Sequence, residues 1–447
     1  MPKVSIVMPL YNAAKYLEES LESVLCQSFA DYELICIDDA STDGTMEILY
    51  KFIQKDNRIR IKKNTQRSGA AYSRNRGLHE ARGNYVIFLD GDDIFDEALL
   101  ERAVYTLDEY NADIVMYDFM HVPSENIYQK RVVCHGENYR QRYCRHTFCI
   151  KDNASYEFML WSPATCNKMY RKDFLLENKL EFQDIPSAND VYFSYMALLL
   201  SERTIVMDDE RVMVYARDHA EPSRISNNRD PMCGFCAMQN LQQELIKRNK
   251  LKEVVQHFYY QVYFVLKSLL FSCRNTERES KFYHFLQTEG MNILCQAENS
   301  YFAGTDQFIN NRLNCFRTNS YQTKWYEQDS LLDIYLDKNR DMVCELFLKL
   351  KAENKKICIW GMGRHGHSLL KFLTENNIRV DLVVDKDSRK QGTRSGEYII
   401  SAPDRVQGGV DVIIISGLGI IEYVKEELKN VQGNFELIDI NSVLGIT

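Results

Sequence analysis

Three carboxylates and one glycine directly follow a run of apolar and aromatic residues, and their types and spacing suit them to chemistry. The run is Tyr85-Val86-Ile87-Phe88-Leu89, and the residues after it are Asp90-Gly91-Asp92-Asp93. Carboxylates this close repel one another, and an Asp-x-Asp pair at a strand end suits a hard divalent cation shared with substrate phosphates. The competing interpretation is an acidic solvent loop that caps a helix, because Asp is a good N-cap residue.

The elements around these carboxylates are predicted to form a parallel sheet. The run 85–89 is apolar throughout, which is typical of a strand buried on both faces. Apolar spacing predicts further strands at 4–8, 32–37, 59–61 and 113–117, and helices at 14–26, 69–81 and 97–110. Strands that alternate with helices in this way form βαβ units, so the predicted fold class is α/β.

Polar residues follow several of these strands at the point where each is predicted to end. Tyr11-Asn12 follows the strand at 4–8, Asp38-Asp39 follows the strand at 32–37, and Asp90 begins the acidic segment. The carboxyl ends of parallel strands share one edge, where the ligands of open α/β sheets bind. The sequence therefore predicts that these side chains converge on one site. A carboxylate there can accept hydrogen bonds from a base or ribose.

Four segments, in this order, resemble the motifs of the family 2 glycosyltransferases, which have the GT-A fold. They are VSIVMPLYN at 4–12, IDDASTDGT at 37–45, RNRG at 74–77 and FLDGDD at 88–93. Four motifs at family spacing are a specific signal, and they cover roughly the first half of the chain. The resemblance implies inverting transfer of a sugar from a nucleoside-diphosphate sugar, expected to be UDP-linked. The acceptor would be a hydroxyl of a glycan or lipid-linked molecule in cell-surface polysaccharide synthesis.

The resemblance also implies roles for individual residues. Pro9, Tyr11 and Asp39 would hold the nucleoside, and Gly69 and Arg74 would lie along the nucleotide. Asp90 and Asp92 would hold the ribose and the Mn²⁺ or Mg²⁺ that bridges the diphosphate. The full set expected at the nucleotide-sugar is Pro9, Tyr11, Asn12, Asp39, Ser41, Gly69, Arg74, Asp90, Gly91, His219 and Arg224. Arg74 could instead be a solvated helix charge, and His219 and Arg224 could belong to an ordinary exposed loop.

The general base implied by the resemblance is Asp190. The family usually carries Glu-Asp at this place, and the sequence has Asn189-Asp190. An inverting transfer needs one base opposite the leaving diphosphate, and such a base contributes about 10²–10⁴-fold. Asp190 could alternatively cap the helix predicted at 191–200. Asn189 keeps hydrogen bonding but removes a charge, which is the sequence hint for a second hypothesis, a catalytically impaired nucleotide-sugar- or glycan-binding protein.

The later part of the chain is predicted to be helical and then α/β again. One long helix is predicted over 331–351, within a packed helical layer that could instead present a face to a membrane or partner. Strand 357–360 precedes a Gly-x-Gly-x-x-Gly pattern, and an acid follows after about twenty residues, which is the dinucleotide fingerprint. The residues of this second candidate nucleotide site are Gly361, Gly363, Gly366 and Asp385. The alternatives are a docking or regulatory domain and an NAD(P)-linked enzyme.

Length and composition bound these hypotheses. The 447 residues suggest a GT-A glycosyltransferase domain at 1–229, a helical region at 230–350 and a small Rossmann-like domain at 351–447. The net charge of -8 without a long basic run argues against nucleic-acid binding. The 13 cysteines are scattered, several within apolar runs, which indicates reduced thiols and a cytoplasmic protein. Neither a signal peptide nor a membrane-spanning run is expected, and peripheral association with the inner face of the membrane is left open.

Overall fold

The computed structural model describes residues 1–123, 131–133, 147–149, 163–209, 211–218, 230–273, 276–296, 307–323, 331–388, 390–407, 409–417, 421–429, 431, 433 and 435–444. The chain forms two compact units, Met1–Thr318 and Asn319–Thr447. The helices predicted for 230–350 are divided between these two units. The three-part division at 229 and 350 stays a prediction.

A mixed seven-stranded sheet forms the centre of the first unit. The strands of this unit are β1 (Val4–Leu10), β2 (Tyr32–Asp38), β3 (Ile59–Lys63), β4 (Tyr85–Phe88), β5 (Ile94–Phe95), β6 (Ile114–Met116), β7 (Phe119–Pro123), β8 (Arg131–Val133), β9 (Lys168–Arg171), β10 (Thr204–Val206) and β11 (Val214–Asp218). The large sheet has the order β10-β6-β9-β4-β1-β2-β3, and a smaller one has the order β5-β11-β7-β8. In the large sheet β9 runs antiparallel to both neighbours, whereas β1 is parallel to β2 and β4 as predicted.

Helices cover the sheet and continue into a helical layer. They are α1 (Ala14–Leu25), α2 (Thr45–Ile53), α3 (Ala70–Glu80), α4 (Leu99–Glu109), α5 (Lys172–Glu177), α6 (Asn189–Leu200), α7 (Pro231–Lys247), α8 (Val255–Ser272), α9 (Glu277–Phe285), α10 (Met291–Gln296) and α11 (Gln307–Thr318). The predicted helical layer is packed, since Phe258, Val262 and Leu266 of α8 are fully buried. Among the described helices, none has the length and apolarity that crossing a bilayer requires.

Alternation along β1 explains how helices are held on both faces of the sheet. Ile6 and Met8 pack into one core cluster with Leu17 of α1. Val7 points to the opposite face, and there α3 approaches very closely: a Cβ added at Gly77 would lie 2.2 Å from Val7 Cγ1. Glycine at position 77 therefore lets α3 lie directly on the sheet.

The second unit is a parallel α/β structure preceded by helices. Its elements are α12 (Leu331–Lys338), α13 (Arg340–Ala352), β12 (Ile357–Trp360), α14 (Arg364–Glu375), β13 (Leu382–Val384), β14 (Arg394–Ser395), β15 (Tyr398–Ile399), β16 (Val412–Ile415), α15 (Ile421–Leu428), β17 (Glu436–Asp439) and α16 (Ile440–Leu444). The main sheet has the order β13-β12-β16-β17, in which all pairs are parallel. This is the doubly wound order that begins 2-1-3-4.

The single helix predicted over 331–351 is wrong, because the chain breaks at Asn339. Its backbone leaves the helical region, with φ −109° and ψ 28°. Its side-chain amide donates to the carbonyl of Tyr335 at 2.9 Å. An asparagine that bonds a backbone group in this way competes with helix continuation, and the apolar spacing on either side did not reveal it.

Candidate active site

The predicted convergence starts from β1, β2 and β4, whose carboxyl ends lie side by side. The N–H of Asp39 donates to the carbonyl of Leu10 at 2.8 Å, and the N–H of Leu89 donates to that of Val7 at 3.1 Å. Pro9 lies within β1 opposite Ile37, rather than after the strand. The loops that follow these strands therefore meet at one edge of the sheet.

Asp39 fixes the loop that leads into α3. Its Oδ1 accepts hydrogen bonds from Asn64 Nδ2 at 2.7 Å and from the N–H of Ser68 at 2.8 Å. Its Oδ2 accepts from the N–H of Gly69 at 2.7 Å. The side chain is buried, so its direct role in this structure is to order the loop 64–69. Its contact with a nucleoside stays a prediction.

The loops after β1 and β2 are joined by Asn12 and Ser41. The N–H of Asn12 donates to Ser41 Oγ at 3.0 Å, and the N–H of Thr42 donates to Asn12 Oδ1 at 2.8 Å. Tyr11 is exposed, and the guanidinium of Arg67 lies over its ring at 4.2 Å. Sequence reasoning did not identify Arg67, and its place immediately before the Asp39-bound loop residues was the available signal.

Arg74 connects the acidic loop after β4 to the start of α6. Its Nη2 donates to Asp90 Oδ1 at 2.8 Å, and its Nη1 donates to Asn189 Oδ1 at 3.1 Å. Only 8% of the residue is exposed, so the interpretation as a solvated helix charge is wrong. Burial opposes the charged form, but the carboxylates of Asp90 and Asp190 outweigh it and raise the pKa of Arg74.

The acidic loop combines exposed and buried carboxylates. The side chain of Asp90 is 43% exposed, Asp92 is half-buried and Asp93 is buried. Burial and the negative charge of Asp90 hold the pKa of Asp93 well above its usual range, against the opposing N–H and guanidinium of Arg217. A Cβ at Gly91 would lie 2.2 Å from Leu10 Cδ2, so glycine lets this loop approach the end of β1.

The chemistry of these carboxylates suits a divalent cation that a bound substrate would share. The described residues contain no group of three or more His, Cys, Asp or Glu that could hold a metal ion. Mg²⁺-like ions are commonly held by one or two carboxylates together with substrate phosphates. Asp90 and Asp92 can supply such carboxylates, and a bound cation would relieve the repulsion between the carboxylates of this loop.

Asp190 lies in the first turn of α6, one residue after the helix begins. The N-cap is Ala188, in the left-handed conformation with φ 59° and ψ 22°, so the interpretation of Asp190 as the N-cap is wrong. The side chain of Asp190 is half-buried. Within the described ranges no residue makes a hydrogen bond to its carboxylate, while Asn189 is buried against Arg74. A carboxylate whose oxygens are not taken up by such hydrogen bonds can accept a proton from a bound hydroxyl.

A second arginine that the sequence analysis did not identify lies beside the acidic loop. The N–H of Arg217 donates to Asp93 Oδ1 at 3.1 Å, and its guanidinium pairs with Glu19 and lies over Tyr16 at 4.9 Å. Arg217 is the penultimate residue of β11. His219 and Arg224 lie outside the described residues, and their contact with a diphosphate stays a prediction.

In the second unit, the carboxylate of Asp385 bonds to protein groups in and around the glycine turn at 361–366. Asp385 Oδ2 accepts from the N–H of Met362 at 2.6 Å and from Lys390 Nζ at 3.0 Å, and its Oδ1 accepts from the N–H of Asp387 at 2.8 Å. A Cβ at Gly366 would lie 2.1 Å from the carbonyl oxygen of Gly361, whereas Gly363 faces open space. The turn is thus held together by protein contacts, and dinucleotide binding there stays a prediction.

Comparison with known proteins gives two family matches. Residues 5–175 match the model described as glycosyl transferase family 2, and residues 353–436 match the model described as C2185-like, N-terminal. The first match contains the loops that carry Asp39 and Asp90 and the helix α3 that carries Arg74, and it ends before Asp190.

Curated relatives match the chain in the same region. Over 116 residues it is 38% identical to glycosyltransferase GlyG of Streptococcus pneumoniae serotype 4, covering 26% of this chain and 38% of the relative. Over 101 residues it is 46% identical to putative teichuronic acid biosynthesis glycosyltransferase TuaG of Bacillus subtilis, covering 23% of this chain and 40% of the relative. Over 217 residues it is 30% identical to poly(ribitol-phosphate) beta-N-acetylglucosaminyltransferase TarS of Staphylococcus aureus, covering 47% of this chain and 35% of the relative. The chain thus spans two fifths or less of the length of these relatives.

A solved structure matches a larger part of the fold. The structure of S. aureus TarS 1–349 in complex with UDP-GlcNAc superposes with a TM-score of 0.56 at 21% identity, covering 72% of this chain and 92% of that one. At this identity the likeness concerns the fold alone.

Proposed function

We propose, from the premise that the N-terminal domain belongs to glycosyl transferase family 2 and has the predicted GT-A fold, that the chain is an inverting glycosyltransferase. It transfers a sugar from a nucleoside-diphosphate sugar, with UDP as the expected nucleotide, to a hydroxyl of a glycan or lipid-linked acceptor. Two of its relatives are named as a putative teichuronic acid biosynthesis glycosyltransferase and a poly(ribitol-phosphate) beta-N-acetylglucosaminyltransferase, and these names support a place in cell-wall or surface polysaccharide synthesis.

The observation that carries this proposal is the path of contacts along α3. At the beginning of the helix Asp39 holds the N–H of Gly69. Further along, Arg74 holds both Asp90 and the residue that precedes Asp190. One helix therefore links the residues expected at the nucleotide, at the cation and at the acceptor hydroxyl.

In the proposed reaction each group has one task. Asp39 and Gly69 order the loop along the nucleotide, and Asp90 with Asp92 would hold the divalent cation. The bound cation would neutralise the diphosphate and so make it a better leaving group. Asp190 takes the proton from the acceptor hydroxyl while that oxygen bonds to the anomeric carbon.

Donor choice is proposed from a named neighbour. The TarS structure that shares this fold contains UDP-GlcNAc, so this donor is the first to examine. The test incubates the full chain with a panel of UDP- and other nucleotide-sugars with Mg²⁺ or Mn²⁺, and measures nucleotide release and sugar transfer by mass spectrometry.

The decisive variant is Asp190→Asn, which keeps the side-chain size and removes the base. Donor affinity measured by calorimetry is expected to be retained, and transfer is expected to fall by about 10²–10⁴-fold. Near wild-type turnover in this variant would remove Asp190 from the role. Donor binding without turnover in the wild-type chain would favour the alternative of a catalytically impaired binding protein.

A further inference from the structure

The segment 182–189, which leads to Asp190, is held onto α3 by two consecutive side chains of that helix. Asn75 Nδ2 donates to the carbonyl of Phe182 at 2.7 Å, and Asn75 Oδ1 accepts from the N–H of the same residue at 2.7 Å. Arg74 then donates to Asn189 at the other end of the segment. The guanidinium of Arg74 also lies over the Phe182 ring, 5.4 Å from its centroid.

The same arginine is tied on its other side to the acidic loop. Its Nη2 donates to Asp90 Oδ1 at 2.8 Å. A single planar guanidinium therefore has one fixed partner on the side of the proposed sugar donor, Asp90, and one on the side of the proposed sugar acceptor, Asn189. Arginine presents its N–H groups in a rigid fork, and a buried fork transmits the position of one partner to the other. The spacing between the two loops is therefore set by one side chain.

Backbone strain marks the place where this constraint acts. Ala188 has φ 59°, a conformation that costs a residue with a Cβ some free energy and persists only where the surroundings enforce it. Asn189, the next residue, is the one that Arg74 holds, and Asp190 follows it. The contact on Asn189 thus restrains the turn from which the base projects.

We propose that Arg74 and Asn189 form a positioning pair that fixes the base Asp190 relative to the donor-side carboxylate Asp90. The inference rests on the proposed function and gives Asn189 a task in it. Position 189 needs an acceptor oxygen for Arg74, and the amide supplies one. A charge there is not needed, because Arg74 already has Asp90 as its ionic partner.

The pair predicts a defined pattern in steady-state kinetics. Asn189→Leu keeps the volume and removes the acceptor oxygen, so kcat for transfer is expected to fall by about 10- to 100-fold, the cost of a small misplacement of a reacting group. The KM for the donor is expected to stay unchanged, since the donor-side loop keeps its other contacts. Asn189→Asp retains an acceptor oxygen and is expected to keep most of the wild-type kcat.

A double-mutant cycle distinguishes a pair from two independent residues. Arg74→Lys cannot make both contacts, and adding Asn189→Leu to it is expected to lower kcat no further, because the second change removes a contact already lost. The matched control is Arg60→Lys, an arginine whose guanidinium also bonds two side chains, Glu33 and Glu80, near the amino ends of β2 and β3. Its kcat is expected to equal the wild type.

Several outcomes would overturn the pair. Wild-type kcat in Asn189→Leu, or losses that multiply in the double variant, would show that Asn189 does not act through Arg74. If Asn189→Leu does not fold, Asn189→Ser, which is too short to reach Arg74, gives the same test. A wild-type chain that turns over no donor would overturn the proposed function itself, whereas an active wild type with indifferent Asn189 variants overturns only the pair.

Discussion

Asp39 Oδ2 accepts a hydrogen bond of 2.7 Å from the backbone N–H of Gly69, so the residue after β2 determines where α3 begins. Because α3 carries Arg74, this contact lies at the origin of the whole candidate site. It also joins a buried carboxylate to backbone N–H groups, which makes it a charge-assisted hydrogen bond of the stronger kind.

Replacing Asp39 by Asn should destabilise the protein and weaken donor binding together. The amide would present N–H groups to at least one of the N–H donors that now bond the carboxylate. We expect the free energy of unfolding to fall by about 1.5–3 kcal/mol, the range for a hydrogen bond to a charged group. Urea denaturation measures this loss, with the exposed Asp31→Asn as the control. Unchanged stability would contradict the ordering role of Asp39.

Gly69→Ala should destabilise through the backbone alone. Gly69 has φ 92° and ψ 163°, a region that only glycine populates readily, and a Cβ there would meet nothing within 4 Å. The expected cost is about 1–3 kcal/mol of strain. Gly363→Ala is the matched control, since its surroundings are equally open and its φ is −80°. Equal effects in urea denaturation would exclude strain as the cause.

Asp92→Ala should remove the dependence of donor binding on the divalent cation. If Asp92 shares the cation with the diphosphate, calorimetry with Mn²⁺ and calorimetry with a chelator should give the same weak donor affinity in the variant. The wild type and the exposed Asp173→Ala control should lose affinity only when the chelator is added. A variant that still responds to Mn²⁺ would place the cation elsewhere.

Glu33 should give the protein a measurable loss of stability in acid. Burial raises its pKa, but hydrogen bonds from Ser5, the N–H of Arg82 and Arg60 outweigh this and lower it overall. A carboxyl with a lowered folded-state pKa stabilises the fold above the ordinary Glu value of about 4.3, and this stabilisation is lost as pH falls through the folded-state pKa.

Glu33→Gln should therefore flatten the decline in stability below a pH of about 4.3. Chemical denaturation at a series of pH values measures it, and Glu22→Gln on the exposed side of α1 is the control. A steeper decline in Glu33→Gln than in the wild type would reverse the sign of the argument.

The glycine turn of the second unit should depend on Asp385 for order rather than for ligand binding. Both its carboxylate oxygens are used by Met362, Lys390 and Asp387, so a ribose would have to displace them. We expect no saturable heat when NAD⁺ or NADP⁺ is added to the full chain. We also expect the free energy of unfolding of Asp385→Ala to fall by about 1–3 kcal/mol, because the groups that now bond the carboxylate would be left unsatisfied. Saturable binding would contradict the first of these expectations and support the dinucleotide hypothesis.

The sequence predicted the site where local pattern and chemistry coincide. Apolar runs that end in Asp39 and Asp90 identified strands and the edge they share, because both signals lie within a few residues. Asn75 and Phe182 are 107 residues apart, and no local pattern connects a side-chain amide to such a distant backbone. The left-handed Ala188 was missed for a related reason: tertiary contacts enforce it, and they moved the start of α6 ahead of Asp190.

The antiparallel strand β9 has a consequence for how the chain can be made. It lies between β4 and β6, so on the ribosome both strands emerge long before the partner that will separate them. Until residues 168–171 are available, β4 has an unpaired edge, and unpaired edges of apolar strands promote association between nascent chains. Truncated versions that stop before residue 168 would keep this edge of β4 unpaired permanently. Expression trials of the region that contains the four motifs should therefore extend through α5.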